Sequence, residues 1–354
     1  MILKNLRLTS FKNHPNSFFE FGKRINCVLG KNGTGKTNLL DAIYYLSFSK
    51  SAVGSQDRIV ITHEHSAFTV YGTYNEITIA LQAEKGKSKT IKIDGHEPDK
   101  ISDLIGVVPL VIVLPDDTSM IKEGSDERRK FFDGAASQFD REYLESLIQY
   151  NKILKQRNSL LKQSDGRKLN YQLLETYNDQ LIPLAKNISQ KRKELRAVFF
   201  PFLQKNYRDL HEGKEVPGLE FKTQVDEGFE KKFKANIQKD QIMQRTLLGS
   251  HRDDFAFLLD DEPIKKFGSQ GQQKTFIIAL KLALYDFLKE KTRKKPLLLL
   301  DDIFDKLDDS RIQLLVSLLK DQERFGQIFI TDARKDRSKE LFENENGVNF
   351  IVIN

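Results

Sequence analysis

Ile25-Asn26-Cys27-Val28-Leu29 runs directly into Gly30-Lys31-Asn32-Gly33-Thr34-Gly35-Lys36-Thr37, and that into Asn38-Leu39-Leu40-Asp41-Ala42-Ile43-Tyr44. The central octet satisfies the pattern G-x-x-x-x-G-K-[ST] at every fixed position. Its flanks supply the context the pattern needs, an apolar strand before and an apolar-periodic helix after. The glycines let the backbone wrap an anion with several N–H groups pointing inward. The helix that starts near Lys36 adds the positive end of its dipole. On this reading Gly30, Lys31, Asn32, Gly33, Thr34, Gly35, Lys36, Thr37 and Asn38 cradle the phosphates of ATP. Lys36 is the catalytic lysine, reaching the β- and γ-phosphates, and Thr37 places its hydroxyl on Mg²⁺.

Such a cradle needs an acidic partner for the metal. Leu297-Leu298-Leu299-Leu300-Asp301-Asp302 supplies one: four apolar residues form a buried strand, and carboxylates emerge at its C-terminal end, where open α/β sheets bind ligands. Asp301 is expected in the Mg²⁺ shell. Asp302 either orients or deprotonates the attacking water, or is a helix N-cap with no catalytic part. The aspartates that follow, Asp305, Asp308 and Asp309, lack the glycine and final glutamate of an EF-hand loop, which sets a Ca²⁺ site aside. Gly268-Ser269-Gln270-Gly271-Gln272 opens a helix expected over 269–288, offering N–H groups and a hydroxyl to a second phosphate face. Thr331, after the strand 327–330, is either a γ-phosphate sensor or structural.

Outward from these motifs, both chain ends read as α/β. Strands are expected near 3–11, 17–21 and 25–29, across 67–94, and at 107–114 before Pro115. Further strands follow at 254–259, 297–300, 327–330 and 349–353. The middle differs. Residues 140–163 and 170–213 have helical spacing, joined by Ser164-Asp165-Gly166-Arg167 into an antiparallel hairpin, with Pro183 and Pro201 expected to kink or interrupt the second helix. A strand at 218–225 and a helix over 228–245 complete it. The expected domains are 1–125 and 246–354 as two halves of one head, with 126–245 inserted.

Of 354 residues, 57 are Lys or Arg and 50 Asp or Glu, a net charge of +7. Residues 121–250 carry 25 basic against 19 acidic side chains, so nearly all the excess lies in the insert. That points to a polyanion such as double-stranded or gapped DNA, or to no more than a solvated helical surface. The phosphate-contact candidates are Lys152, Lys155, Arg157, Lys162, Lys191, Arg192, Lys193 and Arg196. Arg167, Lys168, Lys186, Lys205, Arg208 and Lys214 lie in the same two clusters. No apolar run reaches the roughly 20 residues of a membrane span, which excludes an integral membrane protein. No signal peptide is expected either. The single cysteine, Cys27, excludes an intrachain disulfide and suits a reducing, cytoplasmic setting. His63 and His65 share a strand face without a third metal ligand. His251-Arg252-Asp253 either couples a nucleotide site to the insert or forms a buried ion pair.

Taken together, the motifs resemble those of the RecF family, relatives of the SMC and ABC ATPases. The likeness rests on Leu3-Lys4-Asn5-Leu6-Arg7 through Lys12-Asn13, the octet 30–37, Leu114-Pro115-Asp116-Asp117, Asp126-Glu127-Arg128-Arg129, Gly249-Ser250-His251-Arg252-Asp253-Asp254 and Asp301-Asp302. Ser269-Gln270-Gly271-Gln272-Gln273 resembles the L-S-G-G-Q signature of ABC-type ATPases. The resemblance implies an ABC/SMC-type P-loop ATPase head built from both chain ends, with the insert a short, mostly helical version of an SMC arm. It implies ATP-driven homodimerisation in which Ser269 of one subunit completes the site on Lys36 of the other. It also implies slow, DNA-stimulated hydrolysis, a clamp on DNA at gaps, roles in replication restart and SOS induction, and RecR and RecO as partners near the nucleoid. Three positions depart from the pattern: Asp305-Lys306 before Leu307-Asp308, Asp116 and Asp117 in place of a Q-loop glutamine, and Thr331-Asp332 in place of a switch histidine. A transporter ATPase subunit and a small-molecule P-loop kinase share the nucleotide motifs and remain alternatives at this point.

Overall fold

The computed structural model describes residues 1–54, 60–62, 65–163, 169–211, 213–304, 307–343 and 345–353. The chain packs into two units. One comprises Met1–Asp117, Lys205–Gly213 and Lys274–Asn354, the other Thr118–Gln204 and Lys214–Gln273.

The first unit holds two sheets. β1 (Leu3–Phe11), β2 (His14–Glu20), β4 (Ala67–Tyr74), β5 (Thr78–Glu84) and β6 (Thr90–Ile93) form an antiparallel sheet in the order β2-β1-β4-β5-β6. Leu3 and Leu6 are three residues apart yet both buried, because the β1–β4 register shifts between Leu3 and Asn5 and turns both inward. β3 (Ile25–Leu29), β7 (Leu110–Val113), β11 (Leu297–Leu300), β12 (Ile328–Asp332) and β13 (Val348–Val352) make a parallel sheet in the order β13-β3-β12-β11-β7. Parallel strands covered on both faces read as unbroken apolar runs, and every residue of β3, β7 and β11 is buried. The helix Lys36–Phe48 lies between the sheets. Its Leu39, Leu40, Ile43 and Leu46 join Leu6, Leu8, Phe68 and Val70 from one side and Val28, Ile112, Leu299 and Phe329 from the other in one core.

In the second unit the helices Arg141–Gln163 and Tyr171–Leu210 run antiparallel: Arg157 bonds Asn178, Asn187 bonds Ser146, and Lys191 pairs with Asp140. The expected link 164–167 lies outside the described residues, as do Lys168 and Asp305-Lys306. The second helix is not interrupted; Pro183 and Pro201 both sit inside it. An interior proline costs a helix about 3 kcal/mol, which burial of Leu181, Ile182, Ala185 and Ile188 around Pro183 outweighs. The helix expected over 228–245 is two, Phe229–Ala235 and Ile237–Ile242. Asn236 stands between them, its side chain bonded to Asp240.

The boundaries also fall differently from 125/126 and 245/246. β9 (Asp254–Leu259) pairs antiparallel with β8 (Pro217–Lys222) and with the two-residue β10 (Glu262–Pro263), so the stretch up to Gln273 packs with the middle of the chain. Phe132 of the helix Ser125–Ser137 stacks on Phe255 of β9 at 3.9 Å between ring centroids. Residues 205–213 belong to the first unit, where Asn206 bonds Asp286.

Candidate nucleotide site

The turn after β3 is shaped by sterics. A Cβ on Gly30 would lie 2.4 Å from the carbonyl oxygen of Ile353, and Gly33 and Gly35 sit at φ +86° and +102°, the left-handed region that favours glycine. Gly35 is also the N-cap residue of the helix Lys36–Phe48. The Lys36 ammonium is nearly buried and donates to the carbonyls of Gly30 at 2.8 Å and Lys31 at 3.0 Å.

β11 brings the acids to this turn, and its neighbour β12 brings Thr331. The Thr37 hydroxyl donates to both carboxylate oxygens of Asp301, at 3.1 and 2.9 Å. The Thr331 hydroxyl, at the end of β12, donates to Asp301 at 2.7 Å and accepts the backbone N–H of Asp302 at 2.9 Å. Thr331 therefore braces the acid pair. Asn32, Gly33, Gly35, Lys36, Thr37, Asn38 and Asp302 line a cavity of about 350 Å³ at the C-terminal edge of the parallel sheet. Asp302 does not cap the helix Asp309–Leu319. Asp308 caps Asp309–Leu319, accepting the backbone N–H of Arg311, which holds its pKa low.

Burial raises the pKa of Asp301 from its ordinary 3.8, against the opposing hydrogen bonds of Thr331 and Thr37 and the charge of Lys36. The native carboxyl thus holds its proton more tightly than the unfolded chain, and this group's contribution to stability falls as pH rises through about 4 and above. Asp301→Asn is expected to leave the melting temperature of the nucleotide-free protein at pH 7.5 unchanged or roughly 2–4 °C higher, while Mg²⁺-nucleotide binding is lost. A clear fall in melting temperature would show that the carboxylate stabilises the fold.

Sequence reading gave no site role to two residues here, Asn13 in the β1–β2 turn and His14 at the start of β2. Asn13 accepts from the Asn38 amide at 2.7 Å and lies where a Gly35 Cβ would be; the His14 ring lies 3.2 Å from the Gly35 carbonyl. The signal was the opening stretch that carries the family likeness, which ends on Asn13 and was given no site role. Asp117, in the Q-loop stretch, forms a largely buried ion pair with Lys281 at 2.8 Å.

In the second unit Ser269 caps the helix Gln270–Thr292 reciprocally with Gln272. The serine hydroxyl accepts the Gln272 N–H at 3.2 Å, and the Gln272 side chain accepts the Ser269 N–H at 2.6 Å. Ser269 and Gln270 are exposed.

Two of the expected DNA contacts are corrected. Arg157 is fully buried, paired with Asp240 at 2.8 Å and bonded to Asn178 and Thr246. Arg192 is buried between Asp133 and Asp253, at 2.8 and 2.9 Å. Neither guanidinium can leave such partners for a phosphate without stranding a buried carboxylate. Lys191 is paired with Asp140 and Glu142, and Arg196 donates to the Leu219 carbonyl. Lys152, Lys155, Lys162 and Lys193 are exposed. Asp253 is a buried structural partner, whereas His251 bonds Tyr150 and the Thr246 carbonyl, burial lowering its pKa to about 4. His65 bonds Ser10, and His63 lies outside the described residues.

The family model for the RecF/RecN/SMC N terminal domain matches residues 2–351. The DNA replication and repair protein RecF of Cytophaga hutchinsonii is 44% identical over 349 residues, covering 97% of this chain and 92% of that protein. The chain belongs to the RecF family. RecF of Flavobacterium johnsoniae is 42% identical, with 97% of each chain covered. As a RecF-family member, this is a DNA replication and repair protein, which disfavours the transporter and kinase alternatives. A solved structure of the recombination mediator protein RecF with ATP, in the RecFOR pathway, superimposes with a TM-score of 0.86 at 31% identity, covering 94% of this chain and 92% of that one. An Smc head bound to a domain of ScpA shares the fold, at TM-score 0.56 and 16% identity. Among the described residues no helix is long and apolar enough to cross a membrane.

Proposed function

We propose that the chain is an ATP-dependent clamp on duplex DNA in recombinational repair of single-strand gaps, replication restart and SOS induction. It dimerises head to tail with ATP and opens on slow, DNA-stimulated hydrolysis. The observation that supports this most directly is the hydrogen bond from Thr37 to Asp301, which unites the phosphate-cradle motif and the acid pair across 264 positions of sequence.

The residues suit ATP and Mg²⁺. A Cβ on Gly30 or Gly35 would collide with its neighbours, so the backbone leaves a concave turn. The junction of hydroxyl and carboxylates is the hard-oxygen donor set that Mg²⁺ prefers. Thr37 and Asp301 would hold the metal, which when bound neutralises charge on the phosphate oxygens. Lys36 exchanges the carbonyls of Gly30 and Lys31 for phosphate oxygens. Thr331 keeps Asp301 and the Asp302 backbone in register. Asp302, facing the cavity beside Lys36, orients the water and takes its proton. Ser269, Gln270, Gly271 and Gln272 of a second subunit complete the site. The exposed Lys152, Lys155, Lys162 and Lys193 meet DNA phosphates without reading bases. RecR and RecO are the expected partners, a reading supported by the RecFOR pathway in which the solved relative is described, and the nucleoid is the expected place of action.

The test is fluorescence anisotropy of a labelled gapped duplex, with and without ATP-Mg²⁺, at two salt concentrations, for the parent and Ser269→Arg. The parent is expected to bind with ATP and weaken with salt. Ser269→Arg should keep nucleotide affinity, lose about 1 kcal/mol of helix capping, and neither dimerise nor clamp. ATP-indifferent binding, or a variant that still dimerises, would overturn the reading.

A further inference from the structure

A second cavity in the first unit, about 460 Å³, lies at the opposite edge of the parallel sheet. Lys23 and Arg24 precede β3, Arg293, Lys294 and Lys295 precede β11, and Gln322, Phe325, Gly326 and Gln327 precede β12, so its lining gathers at the N-terminal ends of the strands. Nucleotides bind open α/β sheets at the other edge, where the cradle already stands. Five basic side chains line this cavity against one carboxylate, Glu76. Two of the five have partners: Arg24 donates to the carbonyls of Asn346 and Lys320 and lies 3.7 Å from Glu345, and Lys295 donates to the Gln322 carbonyl. Lys23, Arg293 and Lys294 are exposed and form no ion pair among the described residues. The lining also contains the apolar Ile2 and Phe325.

We infer that this basic cavity is a docking site for a protein partner, and that it takes an acidic peptide segment with interspersed apolar residues. Uncompensated cations around a partly apolar hollow complement carboxylates on a chain that also has side chains to bury. A nucleic-acid strand needs a track of cations spaced along its phosphates; here they converge on one compact hollow. Its volume lies within the roughly 300–1,000 Å³ usual for small-ligand sites. The inference is independent of the nucleotide reading, since none of these residues belongs to the cradle.

The test uses the full chain and a fluorescein-labelled octapeptide alternating glutamate with leucine, at about 50 mM salt, where screening is weak. Anisotropy should show saturable binding, and the double variant Arg293→Glu/Lys294→Glu should weaken it about tenfold or more. ATP affinity, read with a fluorescent analogue, should not change, which separates a lost surface from a lost fold. A peptide alternating glutamate with serine should bind more weakly than the leucine peptide. Equal affinity of parent and double variant, or no saturation with the parent, would overturn the inference. So would a single-stranded oligonucleotide that displaces the peptide and loses its own affinity in the double variant by the same factor, because the surface would then read phosphate.

Discussion

Arg192→Ala is expected to destabilise the second unit by about 3–5 kcal/mol, the usual cost of removing one partner from a buried ion pair. Arg192 donates to Asp133 at 2.8 and 3.0 Å, to Asp253 at 2.9 Å and to the carbonyl of Ser250. Burial alone would lower the pKa of its guanidinium; the facing Tyr143 and Asp133 outweigh that and raise it. Burial already raises the pKa of Asp253, with Arg192, Thr223 and Ser189 opposing. Without Arg192 that carboxyl rises further. A raised acid costs stability in full above its folded pKa, and the cost disappears as pH falls toward its unfolded value. The deficit of the variant against the parent should therefore be greatest at neutral pH and shrink on acidification toward pH 4. Urea titrations at several pH values measure this, and native-state hydrogen exchange in the helix Tyr171–Leu210 places it. A deficit under 1 kcal/mol, or one that grows with acid, would contradict the geometry.

Asp302→Asn should lower ATP turnover by about 10²–10⁴-fold, the range for losing a general base, while nucleotide affinity stays within a few-fold. The substitution suits the site. Asp302 has φ +46°, in the left-handed region that asparagine also tolerates, and its backbone N–H bond to Thr331 involves no side-chain atom of its own. The substitution replaces a carboxylate oxygen at the cavity by an amide of the same shape, which cannot take a proton. Phosphate release gives the rate, and size-exclusion chromatography with ATP should show the dimer accumulating. Turnover within tenfold of the parent would remove Asp302 from the chemistry.

Much of the fold was legible because parallel strands buried on both faces are written as unbroken apolar runs. β3, β9 and β11 fall on the expected residues for that reason or for strict alternation. The helices of the insert were legible from their stripes, but the basic residues on those stripes were misread. Arg157 falls in the series Tyr150, Ile153, Arg157, Leu161, and Arg192 in Leu181, Ala185, Ile188, Arg192, Leu195, Phe199; every member of both series is buried. Helical spacing at i+3 and i+4 already places those two arginines on the inward face. Counting charge along the chain ignored that direction.

The local pattern alone determined the cradle. Glycines at 30, 33 and 35, a lysine and a threonine between a strand and a helix set the path of the turn, because sterics and helix geometry act over a few residues. The paired carboxylates after an apolar strand were equally local. Tertiary structure decided what meets what. It put Thr37 and Thr331 on Asp301, Asn13 and His14 against Gly35, Lys281 on Asp117, and Asp133 and Asp253 on Arg192. These contacts join distant segments through sheet order and helix register, which no window of sequence contains. A basic side chain binds phosphate or stays in the core according to whether a carboxylate from elsewhere in the chain is folded against it.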